Sequence, residues 1–283
     1  MELDPKDVAA LKVDHTAGPA IEAKAEAVAK AKTTMSIGRT FMLAILAGMF
    51  IATGALFMTY FKADTELSFA IASVGGAACF SIGLVCVIVA GAELFTGNTL
   101  MVCAALSKEI TWKDVLKNWG IVYVGNLLGS LLIVFVVFFA NSAGFNGGHV
   151  GETMITVANS KIGLAPQVIF FRGIMCNFLV CLAVWMGFAG KTVADKIVTT
   201  MFPVIAFVGM GFEHCVANMF FLPMGCVALA AGAGAGLDPT VLATATQNLT
   251  VAGCAYNILF ATLGNLVGGA GFVGLFYWLA YKK

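Results

Sequence analysis

Six long stretches of this chain contain no charged side chain, and they constrain its fold more than any single motif. Each can cross or nearly cross the hydrocarbon layer of a membrane, because that layer is about 30 Å thick and takes roughly 20 helical residues. Only 11% of the residues are charged and the mean hydropathy is +0.94, whereas roughly 25% of residues are charged in soluble domains. The sequence therefore predicts a membrane protein. The uncharged stretches are residues 41–61, 67–92, 118–148, 173–190, 215–237 and 239–281.

Charge and hydropathy exclude several other classes of protein. A net charge of +1 leaves no basic block to neutralise phosphates and argues against nucleic-acid binding. The uncharged stretches are too long and too uniformly apolar for a β-barrel, whose strands alternate over about 10 residues. We therefore predict an all-α transmembrane fold. Residues 1–36 carry many charges before any apolar run begins, unlike a signal peptide, so we expect them to be retained as N-terminal helices interrupted at Gly18–Pro19.

Six membrane segments are predicted from Ile37 onward. The second and the fifth are too long for simple spans. The segments are residues 37–60, 69–106, 115–140, 166–189, 197–231 and 250–281.

The distribution of basic residues predicts the orientation of these segments. With six crossings, both termini and the loops at 107–117 and 190–196 share one side of the membrane and hold thirteen basic residues, against three on the other side. Basic residues concentrate in cytoplasmic loops, so we predict a multi-pass protein of the cell (inner or plasma) membrane with both termini in the cytoplasm. The thirteen are Lys6, Lys12, Lys24, Lys30, Lys32, Arg39, Lys108, Lys113, Lys117, Lys191, Lys196, Lys282 and Lys283, and the three are Lys62, Lys161 and Arg172.

An internal repeat divides the chain into two halves. The frame G-x-E-x-x-x-x-N occurs at residues 91–98 and again at residues 211–218, and the pair Gly125–Asn126 is echoed by Gly264–Asn265. Three crossings are an odd number, so the second half must enter the membrane from the opposite side, which predicts an inverted repeat. We expect one channel domain over residues 37–281, with repeat one at about 37–140 and repeat two at about 166–281, preceded by cytoplasmic helices in residues 1–36.

The repeated frame places a carboxylate in each half at membrane depth. An ionised carboxylate at the bilayer centre costs about 2.5 to 3.5 kcal/mol, so Glu93 and Glu213 are expected to face the protein interior. The surrounding Gly, Thr and Asn favour a broken helix, whose new N-termini attract an anion. Alternatively, the two carboxylates only cap the breaks by accepting backbone N–H bonds.

His214 is present in only one copy of the frame, because the matching residue in the other copy is Leu94. It is therefore not needed to form a break. An imidazole beside a pathway can donate and accept protons near neutral pH, although a buried histidine satisfied by a carbonyl remains the alternative.

The sequence contains no pattern for a cofactor or a metal. All eight cysteines lie in or beside apolar segments without a CxxC pair, which is typical of small buried side chains. The run Gly232–Gly236 follows no strand and is expected to be a loop. A membrane enzyme or a receptor is disfavoured, since there is no nucleophile–base pair and no sizeable soluble domain.

Several motifs of the chain occur together in the order found in one known family. They are Ala92–Leu100, Lys117–Asn126, Gly211–Phe220, Gly264–Asn265 and Phe276–Trp278. Together they resemble the formate/nitrite transporter family over residues 35–281. The resemblance implies an aquaporin-like fold, a homopentamer with one pore in each protomer, and transport of small monovalent anions of weak acids without cofactor or ATP.

The resemblance also implies roles for individual residues. His214 matches the central pore histidine, Thr96 its partner, and Asn177 an asparagine that contacts the histidine. Lys161 matches a lysine that draws anions to the outer vestibule, while Glu213 and Asn265 match polar positions that support the pore. The residues that match apolar constrictions on either side of a central chamber are Phe80, Leu84, Leu94, Val180 and Phe207.

This likeness implies proton-coupled passage of a weak acid, because its neutral form crosses an apolar constriction at far lower cost than its anion. Formate is the expected substrate. The sequence Thr96–Gly97–Asn98 departs from the Thr-Ser of well-known formate members, so hydrosulfide or nitrite are alternatives, and acetate or lactate belong to the same class. A carrier that works by alternating access is a further alternative, since inverted repeats serve both mechanisms.

Overall fold

A computed structural model describes residues 18–282 of the chain, and in this range all regular elements are helical. The expected helix around Asp4 and Pro5 lies outside the described residues. Short 3₁₀ turns at Ser142–Gly144 and Asn146–Gly148 lead into helix α6. The helices are α1 (Gly18–Thr34), α2 (Ile37–Lys62), α3 (Phe69–Gly91), α4 (Phe95–Leu106), α5 (Trp112–Phe139), α6 (His149–Ile162), α7 (Pro166–Ala189), α8 (Val193–Gly209), α9 (Cys215–Ala230), α10 (Pro239–Asn248) and α11 (Val251–Lys282).

The predicted all-α architecture is confirmed. Five helices, namely α2, α3, α5, α7 and α11, are long and apolar enough to cross a membrane, and α4 and α9 are shorter apolar helices. The second predicted segment corresponds to α3 followed by α4, and the fifth corresponds to α8 followed by α9. The count of six crossings stays a prediction, because two of these segments are each made of two separate helices.

Local sequence explains where most of the helices begin. Thr111 and Thr192 each form a capping box with the aspartate three residues later, Asp114 and Asp195, which satisfies backbone N–H groups in the first turn. Two helices that the hydrophobic pattern did not predict are α6 and α10. They connect the longer helices, and His149 is the first residue of α6, with its Nδ1 2.8 Å from the Glu152 carboxylate.

Glycine pairs bring the membrane-length helices into close contact. Gly125 and Gly129 of α5 lie against the backbone of α2, and an added Cβ on Gly129 would overlap the carbonyl of Ile45. In the second half, Gly264 and Gly268 of α11 lie against α7 in the same way, with the carbonyl of Ile174 blocking a Cβ on Gly268. Small residues spaced four apart allow such close helix contact in membranes, so each half is a tightly packed group of helices.

Helix α1 lies across the ends of α4 and α11. Its Ala25 and Ala29 are buried, Glu26 accepts a hydrogen bond from the Ser107 hydroxyl, and Lys282 of α11 lies 2.9 Å from Glu26. The N-terminal helix is therefore part of the folded body.

Candidate functional site

Two short extended segments interrupt the helices at equivalent positions in the two halves. The first junction, Ala92–Leu94, separates α3 from α4, and the second junction, Phe212–His214, separates α8 from α9. Each follows a glycine with positive φ, +82° at Gly91 and +71° at Gly211. Only glycine adopts this conformation without strain, which explains the glycine that opens each copy of the repeated frame.

One asparagine in each half satisfies the backbone of a junction. The amide of Asn126 accepts a hydrogen bond from the Phe95 N–H at 2.9 Å and donates to the carbonyls of Ala44 and Glu93. Asn265, an expected supporting residue, accepts from the Cys215 N–H at 2.9 Å.

The amide nitrogen of Asn265 donates to the carbonyls of Gly173 and Glu213 at 2.8 and 2.9 Å. Both asparagines are fully buried. Because unpaired backbone groups in an apolar interior cost several kcal/mol, these bonds allow the helices to be interrupted in the protein interior.

Each carboxylate of the repeated frame binds a lysine and an asparagine. Glu213 lies 2.8 Å from the Lys161 ammonium and accepts a hydrogen bond from Asn218 at 2.6 Å. Glu93 pairs with Lys32 and accepts from Asn98 at 2.7 Å. The alternative in which the carboxylates cap the breaks through backbone N–H groups is therefore wrong: their partners are side chains, and asparagines hold the backbone.

Lys32 was not predicted as a site residue. A signal was present, however, because Lys32 and Lys161 each stand five residues before the first long helix of their half, which begins at Ile37 or at Pro166. Burial of both pairs is similar, since the lysine side chains are 18% and 15% exposed.

His214 lies where the two junctions meet. Its Nε2 is 3.0 Å from the Thr96 hydroxyl, and its Nδ1 accepts a hydrogen bond from the Ala217 N–H at 3.0 Å. A nitrogen that accepts from a peptide N–H carries no proton, so the neutral imidazole holds its proton on Nε2. Protonation of Nδ1 would break this helix cap, and His214 is therefore arranged as a neutral hydrogen-bond donor.

Asn177 differs from its expected role. Its amide donates to the Asn265 carbonyl at 2.7 Å, to the Thr99 hydroxyl at 3.2 Å and to the Thr96 carbonyl at 3.3 Å. None of its hydrogen bonds goes to His214. The side chain instead reaches the histidine indirectly, because it positions the segment that carries Thr96.

Two cavities approach the junctions from opposite ends of the helices. The cavity beside α1 has a volume of about 660 Å³ and contains Leu84 and Leu94 in its wall; we name it the inner cavity after the predicted cytoplasmic position of the N-terminus. The outer cavity, of about 190 Å³, contains Phe80, Phe207 and His214 in its wall. The four apolar residues are each at most 3% exposed. Val180, also expected in a constriction, is buried but lines neither of these cavities.

Aromatic contacts connect the apolar wall to the histidine. The ring of Phe207 stacks on the His214 imidazole with centroids 5.9 Å apart, and it meets Phe80 edge-on at the same distance. These rings exclude water from one face of the imidazole. The two rings and the imidazole lie side by side in the wall of the outer cavity.

Both cavities contain more basic than acidic residues. Among residues 18–282, the inner cavity is lined by one carboxylate, Glu93, and the outer cavity by one carboxylate, Glu213. Each therefore attracts anions. The basic residues are Lys24, Lys32, Arg39 and Lys196 in the inner cavity, and Lys62, Lys161 and Arg172 in the outer cavity.

Within residues 18–282, no group of three or more His, Cys, Asp or Glu side chains is close enough to hold a metal ion. The eight cysteines are free thiols, in line with their interpretation as small apolar side chains. The arrangement offers hydrogen-bond donors, cations and apolar walls, which suit the passage of a small anion or its conjugate acid.

Comparison with known proteins relates the whole described chain to one group of membrane proteins. The sequence profile of the family described as "Formate/nitrite transporter" matches residues 19–279. The formate channel FocA of Escherichia coli is 39% identical over 94% of each chain. A probable formate transporter of Methanothermobacter thermautotrophicus is 34% identical and covers 94% of this chain and 97% of its own length.

Solved structures give the same result. A pentameric formate channel with formate bound superimposes with a TM-score of 0.76 at 34% identity, covering 87% of this chain and 98% of that one. An ion channel of the same family has a TM-score of 0.77 at 27% identity, covering 92% of this chain and 98% of the other.

Proposed function

This chain belongs to the formate/nitrite transporter family, and from that premise we propose that it carries formate across the cell membrane through a pore that passes His214. The hydrogen bond between His214 and Thr96, located between two cavities rich in cations, is the observation that carries this proposal. The formate channels among its relatives support the substrate.

The geometry supports a passage in three stages. Basic residues first concentrate the anion in a cavity. The apolar walls formed by Leu84 and Leu94 on one side and by Phe80 and Phe207 on the other then oppose an ion, because they offer no compensating charge. The weak acid crosses as its neutral form and ionises again in the second cavity, so each anion moves together with a proton.

In this pathway His214 donates a hydrogen bond and does not supply the proton. Its Nε2–H points at the Thr96 hydroxyl, and a formate oxygen can replace that hydroxyl as acceptor. Because Nδ1 is occupied by the Ala217 N–H, a second proton on the ring would cost the helix cap. We therefore infer that the proton enters from the aqueous cavity with the substrate.

The architecture that we propose for this function is a homopentamer with one aquaporin-like pore in each protomer and both termini in the cytoplasm. Each protomer has six crossings, in which α3 with α4 and α8 with α9 form the two broken segments of an inverted repeat. The equivalent bonds of Asn126 and Asn265 support the repeat. The pentameric relative supports the assembly.

Flux measurements in proteoliposomes test the substrate and the histidine together. We expect formate uptake that increases at acidic pH, with slower uptake of nitrite, hydrosulfide or lactate. Resolved unitary currents in a bilayer would indicate a channel, and saturable electroneutral flux would indicate an alternating-access carrier. Absence of formate uptake by the wild-type pentamer at every pH would contradict the proposal.

Two substitutions separate the roles of the histidine. His214→Asn retains a side chain that can cap α9 but lacks the imidazole, whereas His214→Phe lacks both. If the neutral imidazole serves as a donor, His214→Asn should keep pH-dependent uptake at a rate lowered by about tenfold, the cost of one hydrogen bond of roughly 1.4 kcal/mol. Loss of the pH dependence in His214→Asn, with the pentamer intact, would show instead that the imidazole supplies the proton.

A further inference from the structure

The three basic residues of the outer cavity have unequal partners. Lys161 is neutralised by Glu213 at 2.8 Å. Across residues 18–282, neither Lys62 nor Arg172 forms an ion pair. Arg172 is an exposed residue, whereas Lys62 is half-buried. Of the two unpaired basic side chains, Lys62 is therefore the one whose positive charge is partly shielded from water.

The fold directs Lys62 into the cavity. It is the last residue of α2, and its aliphatic carbons lie over Gly76 of α3, where an added Cβ would come within 3.1 to 3.2 Å of them. The small residue at position 76 thus leaves a channel for the lysine stem. Met58, one turn earlier on α2, lines the same cavity and packs beside that stem.

Electrostatics favour an anion next to Lys62. Lys62 and Lys161 both line the outer cavity, so their like charges oppose each other there. An anion that lies between two cations removes part of this repulsion and is attracted by both. Because Glu213 already balances Lys161, most of the net attraction comes from Lys62.

We propose that Lys62 is an anion-binding residue of the outer cavity, which holds the anion there before it reaches the Phe80 and Phe207 rings. This assignment rests on the proposed anion transport and specifies a residue within it. It also implies that affinity from the outer side is set by a lysine at the end of α2 in addition to the ion-paired Lys161.

A purely structural role makes a different prediction. A lysine in the last turn of a helix offsets the negative end of the helix dipole, and its loss would then lower thermal stability while leaving substrate affinity unchanged. The two roles are therefore separated by measuring affinity, maximal rate and stability on the same variants.

The test compares Lys62→Gln, Lys62→Arg and Lys108→Gln in proteoliposomes, with concentration-dependent formate uptake measured at low and high ionic strength. Lys108 is an exposed residue in the short loop after α4, so Lys108→Gln makes the same charge change away from the outer cavity. We expect Lys62→Gln to raise the KM for formate by about tenfold with little change in maximal rate, the size of a single steering charge. The increase should shrink in high salt because ions screen the cavity.

Two further variants test whether the positive charge at position 62 is what sets the KM. Lys62→Arg should retain a KM within about twofold of the wild type, because it keeps the charge, and Lys108→Gln should not differ from the wild type. Equal KM values for Lys62→Gln and the wild type would overturn the role of Lys62, provided that the wild type transports formate. If the wild type transports no formate, the proposed function fails instead, so the two failures are distinct.

Discussion

The two junctions are built alike but carry different side chains at their centres. Each follows a glycine with positive φ, each is held by a buried asparagine, and each is flanked by a lysine–glutamate–asparagine group. Yet the first junction ends in Leu94 and the second in His214. The repeated parts satisfy the backbone, which any interruption of a helix in an apolar interior requires, while the residue that differs between the halves is the one to which we assign a role in transport.

The partner of the histidine follows the same logic. Thr96 stands two residues after Leu94, and the equivalent residue after His214 is Val216, which is fully buried. The polar pair His214–Thr96 thus has an apolar counterpart, Leu94 and Val216, in the repeat. A second polar pair would add buried polar groups that need partners.

The largest expected effect concerns the buried asparagine that holds the backbone of each junction. Asn126→Ala and Asn265→Ala each remove three hydrogen bonds to buried backbone groups, so each should lower the free energy of unfolding by about 3 kcal/mol or more. Thermal unfolding of the purified protein in detergent measures the loss. Asn159→Ala, which removes one exposed hydrogen bond to Thr244, is the control and should cost less than about 1 kcal/mol. A large effect for only one of the two buried asparagines would mean that the halves are not built alike.

A smaller loss of stability is expected when the histidine of the second junction is introduced into the first. Leu94→His buries an imidazole in the first junction. If Val216 stands opposite it as Thr96 stands opposite His214, the imidazole lacks a hydroxyl to accept its proton, and the unpaired donor should cost about 2 kcal/mol. The double variant Leu94→His, Val216→Thr supplies a hydroxyl and should recover part of this loss, as thermal unfolding of the two variants can show. Equal stability of both variants would indicate that the two residues are too far apart to form the bond seen between His214 and Thr96.

The smallest effect concerns the helices that carry the lysine partners of Glu93 and Glu213. Lys161 comes from α6, whereas Lys32 comes from α1, which is attached through a titratable pair. Burial, followed by the neighbouring Glu26 carboxylate, raises the pKa of Glu22 from its ordinary value of 4.5 to about 7. Although burial opposes the shift, hydrogen bonds from Ser107 and Lys282 lower the pKa of Glu26.

The raised pKa of Glu22 determines the sign of its contribution. The folded state holds this proton more tightly than the unfolded chain, so the stabilisation is complete below pH 4.5 and is lost as the pH rises through about 7. We therefore expect α1 to be less protected from hydrogen exchange at pH 8 than at pH 6, after correction for intrinsic rates. Glu22→Gln should abolish this difference, and residues 153–162 of α6 should show none. Persistence of the difference in Glu22→Gln would assign it to another group.

The sequence predicts much of this arrangement because several of its rules are local. Helix caps such as Thr111 with Asp114 are read directly from residue order, and the spacing of Gly91, Glu93 and Asn98 repeats at Gly211, Glu213 and Asn218. His214 is also recognisable in the sequence, because the repeat places this imidazole opposite the apolar side chain of Leu94. Resemblance to a family then supplied Thr96 and Asn265.

Partners distant in the sequence were not predictable in the same way. Lys32 was counted only as a basic residue that sets the orientation, although the structure pairs it with Glu93, 61 residues away. Asn177 was expected at the histidine, and the structure directs its amide to the Asn265 carbonyl instead. Both contacts depend on how whole helices pack.

By itself, the sequence determined the membrane character, the helical class and the two interruptions, because hydropathy, glycine conformation and helix capping act within a few residues along the chain. Only the tertiary structure decided which carboxylate binds which lysine, that the Thr96 hydroxyl lies beside Nε2 of His214, and that Lys62 faces the outer cavity with no counter-ion among residues 18–282. These features depend on distances between groups on different helices, and buried charges and polar groups are satisfied by whatever the packing brings within reach.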